Sequence, residues 1–200
     1  VTRSLYLSGG MAPIDDNDIA WLRITTSVYV SPAKEMLDPE DKELYNPDKA
    51  AELLDALDAG YEAGEALGSM ALMTDSLVDG RIIRAIIRKD IKAFEATLKD
   101  VAARNFSRYY NSAATEFGEN IGLIEVKNVS KWMDVFKQYV PDKQHYFKVA
   151  YRAIDNKYFD HALEVAKSCV RVFPKEESMK TERRFLEKKL LPELKAFYKK

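Results

Sequence analysis

A chain of 200 residues with 46% hydrophobic and 32% charged residues has material for a folded core, and this balance excludes a disordered or fibrous chain. A single cysteine, Cys169, excludes an intramolecular disulfide framework and a cysteine-built metal site, and only two histidines argue against a protein-only zinc site. No run of about 18 apolar residues occurs, which excludes a membrane-spanning helix, and the formal charge of -1 hides a division: residues 1–80 hold 5 Lys/Arg against 16 Asp/Glu, and residues 81–200 hold 26 against 16. Such a dipolar chain suits docking between unlike surfaces, unless the acidic part packs on the basic part. With 8 Gly, 7 Pro and many helix formers, the composition points to an all-α protein.

Residues 1–15 read as an extended arm, with Leu5, Tyr6 and Leu7 followed by Ser8-Gly9-Gly10 and Pro13. The chain opens on Val1 rather than Met, which suggests a removed targeting peptide. The implied compartment is an organelle lumen, a periplasm or the exterior, with the cytoplasm as the alternative. Residues 15–18 offer caps for a helix. Residues 19–30 fit both a helical and an alternating pattern, and are read as helix because no other strand candidate exists. Ser31-Pro32 begins a short helical turn that ends near Asp38-Pro39. Asp38, Glu40, Asp41 and Glu43 then form a solvated linker; no Gly stands where a calcium loop needs its sharp turn.

Asn46-Pro47 opens the longest predicted helix, which runs to Met73. Leu53, Leu54, Leu57, Tyr61 and Leu67 follow helical spacing, and Gly60, Gly64 and Gly68 form a stripe at i, i+4, i+8. The stripe predicts a close crossing with a neighbouring helix of this chain, or else a groove for a partner helix or a flat cofactor. Glu62 and Glu65 keep this helix out of a bilayer.

Residues 74–80 read as a turn. A short helix over 81–88 has Ile82, Ile83, Ile86 and Ile87 on one side and Arg81, Arg84 and Arg88 on the other. Lys89-Asp90 breaks it. A second helix follows, with Ile91, Phe94, Leu98, Val101, Ala102 and Tyr109 on its face and an aromatic, basic end at 106–110. That end reads as core and rim packing rather than a nucleic-acid surface. Residues 111–122 form a weaker helix broken by Gly118 and Gly122. Asn128 caps a helix carrying Val129, Trp132, Met133, Phe136 and Val140, which Pro141 stops. The helix around Tyr146–Ile154 turns Phe147, Ala150, Tyr151 and Ile154 inward. After the turn at 155–157, Phe159, Ala162, Leu163, Ala166, Cys169, Val170 and Phe173 make the cleanest amphipathic face, ended by Pro174. A last helix over 178–200 carries Phe185, Leu186, Leu190, Leu194 and Phe197, with a kink at Pro192.

Arg84-Ala85-Ile86 recurs as Arg152-Ala153-Ile154, each followed by a lysine, a turn and a helix. With another helix pair between them, this suggests a period near 34 residues. Residues 143–176 resemble a tetratricopeptide-type repeat, with Ala150, Phe159, Ala162, Ala166 and Pro174 where that pattern has small, aromatic and proline residues. The first helix lacks the glycine that follows the pattern's Trp-Leu start, and the segment around Gly118 and Gly122 lacks its small crossing residue. The run from Ile82 to Tyr110 is similar to the Q-type extrinsic subunits of photosystem II. That resemblance implies a cofactor-free helical bundle in the thylakoid lumen.

Candidate chemistry is sparse. His145 and His161 read as surface side chains near helix starts, and Cys169 as a buried, inert thiol. No phosphate loop, nucleophile elbow or metal-binding helix motif occurs. No catalytic, cofactor or metal residue is therefore assigned, and an enzyme is not expected. The resulting expectation is one all-α domain over 1–200, built as stacked antiparallel helical hairpins or a helical bundle with an extended N-terminal arm. Its segments are the arm at 1–15, the glycine-striped helix at 46–73, hairpins at 81–176 and a C-terminal helix at 178–200. The expected function is that of a non-enzymatic interaction protein, a structural subunit or adaptor meeting protein partners rather than nucleic acid. It would meet a membrane only peripherally, through such a complex. The candidate docking residues are Leu5, Tyr6, Leu7, Gly60, Gly64, Gly68, Arg81, Arg84 and Arg88. The alternatives are a lumenal extrinsic subunit of a photosynthetic complex, or a small-molecule binder or enzyme with a cavity beside the Gly60–Gly68 groove.

Overall fold

Helix-forming residues interrupted by capping residues leave the chain one dominant way to satisfy its backbone, and the computed structural model follows it. It describes residues 28–66 and 75–172, and within them every regular element is helical. The predicted arm, most of the segment at 19–30, the end of the glycine-striped helix and the helix at 178–200 lie outside the described residues. The chain divides into two compact units, Val1–Glu116 and Phe117–Lys200.

In the first unit, α1 covers residues 28–35 and passes through Ser31-Pro32, where the sequence suggested a new start. The acidic linker that follows is ordered by its own carboxylates: Asp38 Oδ1 accepts from Glu40 N–H at 2.9 Å and Asp41 Oδ1 from Leu44 N–H at 3.2 Å. Helix α2, Pro47–Ala66, begins where the cap and proline place it, with Lys49 N–H donating to Asn46 Oδ1 at 3.0 Å. Helix α3, Asp75–Ile87, starts earlier than expected because Gly80 is a packing glycine rather than a turn. A Cβ at Gly80 would lie 3.0 Å from Leu57 Cδ2 and 3.3 Å from Leu54 Cδ2, so its absence lets α2 and α3 close on each other.

Helix α3 ends at a left-handed Lys89 with φ of 54°. Lys89 N–H donates to Ile86 O at 3.0 Å and Asp90 N–H to Ala85 O at 2.9 Å, the paired bonds of a Schellman motif. Asp90 then caps α4, Ile91–Arg104, by accepting from the backbone of Lys92 and Ala93. Asn105, at φ of 51°, stops α4 before the aromatic run that the sequence joined to it. Tyr109 and Tyr110 belong instead to α5, Ser107–Asn120. The core of this unit holds Leu54 and Leu57 of α2, Leu77, Ile82, Ile83 and Ile86 of α3, Phe94, Leu98 and Val101 of α4, and Ala113 of α5.

The second unit takes up the chain within α5. The helix does not break at Gly118. A Cβ there would meet Val149 O and Arg152 Cβ at 2.6 Å, so Gly118 permits a backbone-close crossing with the following helix pair. Two short 3-10 turns, Ile121–Leu123 and Val126–Asn128, precede α6, Val129–Tyr139. Asn128 occupies the cap position but makes no side-chain capping bond. Helix α7, Lys143–Asp155, is capped by Asp142, which accepts from Gln144 N–H at 2.9 Å. Helix α8, Phe159–Val172, follows a second left-handed lysine, Lys157, at φ of 64°. The aromatic core stacks Phe117 against Phe136 at 5.5 Å and Phe136 against Tyr146 at 6.0 Å between ring centroids. The Tyr146 hydroxyl donates to Val140 O at 2.5 Å, and burial pushes its pKa up to about 12.

The inward face of α7 differs from the expectation. Tyr146, Val149, Ala150 and Ala153 are buried, whereas Phe147 and Ile154 are half-buried and Tyr151 is 44% exposed. The close crossing at Gly118 rests on Val149, and Tyr146 reaches back to Val140; both set the helix rotation one residue away from the Phe147 stripe.

Candidate functional site: the arginine stripe and the Phe106 corner

Arg81, Arg84 and Arg88 stand at i, i+3 and i+7, so they share one face of α3. That face meets Asp55 and Asp58 of α2. Asp58 is only 6% exposed and takes one arginine on each oxygen: Arg81 Nε on Oδ1 at 2.6 Å and Arg84 Nη1 on Oδ2 at 2.6 Å. Arg84 also lies 3.5 Å from Asp55, Arg88 pairs with Asp55, and Arg81 reaches Asp100 at 3.4 Å. The Arg81 guanidinium stacks 5.0 Å from the centroid of Tyr61.

The acidic helix and the first basic helix therefore meet each other. A carboxylate this buried needs its partners, because removing one side of a buried pair leaves an uncompensated charge. The three arginines, offered by the sequence as a docking stripe, are engaged within their own unit. Arg88 has the most exposed side chain of the three, at 50%. A second long-range pair, Lys34 with Glu116, joins α1 to α5, and Glu116 is 2% exposed.

The other sequence candidates are dispersed. Leu5, Tyr6, Leu7 and Gly68 lie outside the described residues. Gly60 is in α2, with no described atom within 4 Å of where a Cβ would stand. Gly64 is in the same helix, and its surroundings lie outside the described residues. Among the described residues the close-approach glycines are Gly80, Gly118 and Gly122, the last against the Tyr158 ring.

A surface feature that sequence reasoning assigned to core and rim stands at the joint of α4 and α5. Phe106 is 54% exposed and meets Tyr109 edge-on at 5.5 Å. The Arg108 guanidinium lies 4.9 Å from the Tyr109 centroid and 5.6 Å from that of Phe106. Its Nη2 donates to Tyr109 Oη at 3.1 Å, a bond that raises the guanidinium pKa, and Asp75 lies 3.4 Å from Nε. The signal available in the sequence was the Phe-Ser-Arg-Tyr-Tyr run; the helix break at Asn105 is what turns its first residue outward.

His145 is drawn further in than expected, and His161 is partly buried. His161 Nε2 stands 2.7 Å from Ile124 O, and its ring meets Tyr158 edge-on at 5.9 Å. His145 is 9% exposed, with Nδ1 3.3 Å from Asp142 O. Cys169 is buried. On α7, burial and the neighbouring Arg152 charge lower the pKa of Lys148. Among the described residues no three His, Cys, Asp or Glu side chains converge as a metal would require, and no helix is long and apolar enough to cross a membrane. Comparison with protein-family models, with curated proteins and with solved structures finds no match to this chain.

Proposed function

We propose that this protein is a non-enzymatic interaction protein, a structural subunit or adaptor of a larger assembly. The observation that carries the reading is the Phe106 corner, an aromatic ring 54% exposed beside Arg108. Aromatic and arginine side chains dominate binding energy at protein interfaces. The side chains most able to do chemistry are meanwhile held in structural contacts: Arg81 and Arg84 on Asp58, His161 on Ile124 O, and Cys169 in the core.

Capture from the native source with three baits tests this: the full chain, a chain lacking residues 1–15, and the Phe106→Ser, Arg108→Glu double variant. The corner variant is expected to weaken a captured partner at least about tenfold while leaving the melting curve near wild type. A partner set unchanged for both altered baits would remove the reading.

A further inference from the structure

Apart from Val28, at the edge of the described residues, the large hydrophobic side chains exposed in the first unit stand in two places. One is the corner of α4 and α5, where Phe106 is 54% exposed. The other is the linker before α2, where Leu44 is 50% and Tyr45 41% exposed. Their settings are opposite in charge. Residues 38–45 carry Asp38, Glu40, Asp41 and Glu43 against one lysine, Lys42. Residues 101–110 carry Arg104 and Arg108, both exposed, and no carboxylate. Of the carboxylates nearest the corner, Asp75 stands on Arg108 and Asp100 on Arg81.

Both places are held in shape before any partner arrives. The linker is closed at its ends, where Asn46 N–H donates to Met36 O at 2.8 Å, and within it Tyr45 N–H donates to Asp41 O at 2.9 Å. The corner is fixed by the left-handed Asn105 and by Arg108 against the Phe106 and Tyr109 rings. Preorganised surfaces lose little freedom on docking.

The two places cannot meet within one chain. Asp55 faces Arg88 while Asp58 faces Arg81 and Arg84, so α2 and α3 run antiparallel. The linker joins α2 at Pro47, about 12 Å of helix beyond Asp55. The corner is tied through Arg108 to Asp75, the first residue of α3, which lies about 18 Å of helix from Ile87 at its other end. The linker and the corner therefore stand at opposite ends of this layer, about 30 Å apart along the helices.

We infer that the acidic linker of one copy of this chain docks on the Phe106 corner of a second copy, with Leu44 and Tyr45 against Phe106 and Glu43 facing Arg104 and Arg108. The inference rests on the reading of the corner as an interaction surface and names its partner. Complementary patches at opposite ends of one unit make the contact heterologous, linker to corner. Patches of this size belong with weak, transient interfaces, below about 1,200 Å².

Sedimentation velocity of the purified full chain tests this. At low salt the average mass of the wild type should rise with concentration up to about 1 mM, and added salt should return it toward the monomer. Phe106→Ser with Arg108→Glu in the corner, and Leu44→Ser with Tyr45→Ser in the linker, should each weaken association at least about tenfold while melting near the wild type. An equal mixture of the two variants should associate again, because an intact linker then meets an intact corner. A wild type that stays monomeric throughout overturns the inference. So does a mixture that associates no better than either variant alone, since each patch would then meet its own kind. A monomeric wild type whose corner still captures another protein overturns this inference and leaves the reading of the corner standing.

Discussion

The two hairpins α3–α4 and α7–α8 share a turn and differ in what covers them. In both, a lysine at positive φ closes the first helix through the same pair of backbone bonds: Lys89 to Ile86 O and Asp90 to Ala85 O in one, Lys157 to Ile154 O and Tyr158 to Ala153 O in the other. The cover of the first is an acidic helix bound through Asp55 and Asp58 to an arginine stripe. In the second, α5 presses on α7 through Gly118, a backbone crossing flanked by the longer Arg152–Glu119 pair at 3.6 Å. The turn is thus specified locally, by Arg-Ala-Ile and the lysine that follows, while the cover is specified by the residues that face outward from the hairpin. The same motif accepts lids that differ in their outer contacts: beside the Leu54 and Leu57 packing the first adds the arginine stripe, and the second adds a backbone crossing.

The sharpest way to break this comparison is to fill the apolar crossing. Gly118→Val places methyls where Val149 O and Arg152 Cβ already stand, and should cost about 3 kcal/mol of stability in a denaturant melt. The control is Gly60→Ala, at a position with no described atom within 4 Å of the new Cβ, which should gain about 0.5–1 kcal/mol from helix propensity alone. Equal responses at the two sites would mean that Gly118 is not the close crossing.

The ionic contact of the first cover should be the weaker of the two features. Asp58→Ala leaves Arg81 and Arg84 without their shared carboxylate, and the expected loss is about 2 kcal/mol, discounted from the buried-pair range because both guanidinium groups keep some access to water. Asp58→Asn should recover part of the geometry but not the charge, and so fall between. Added salt should narrow the gap between wild type and Asp58→Ala without altering that at Gly118. A salt response at both sites would erase the distinction between the covers.

These variants also mark what the sequence could disclose. Helix class and most boundaries were legible because they are written in single residues: Asn46-Pro47, Lys89-Asp90 and the stop before Pro141 all stand where local chemistry puts them. The glycines were not. Gly80 and Gly118 look like breakers in one dimension, and only the neighbour lying against each shows that it is a contact. Gly60 looked like a contact and has no described atom close to where its Cβ would stand. The rotation of α7 was ambiguous for a related reason: its two apolar stripes, Tyr146–Val149–Ala153 and Phe147–Tyr151–Ile154, are one residue apart, and periodicity alone does not rank them. The arginine stripe was visible as a stripe, but its partners, Asp55 and Asp58, are known only from the pairing of α2 with α3.

The smallest expected effect bears on what the hairpins share. Lysine at φ of 54° or 64° holds a conformation that costs an L-residue roughly 1–2 kcal/mol and costs glycine almost nothing. Glycine also loses more chain entropy on folding, so the net gain from Lys89→Gly or Lys157→Gly should be about 0.5–1 kcal/mol, read as a small rise in melting temperature. If the turn is set locally, the two gains should agree within about 0.5 kcal/mol and should add in the double variant, as independent sites do. Their surroundings make this a demanding comparison. Asp90 goes on to cap α4 through Lys92 and Ala93, whereas the Tyr158 ring lies against Gly122, so the second turn is also clamped from outside. A gain at Lys89 with none at Lys157 would show that the clamp, rather than the lysine's conformation, governs the second turn, and that the two hairpins resemble each other in sequence and geometry but not in what stabilises them.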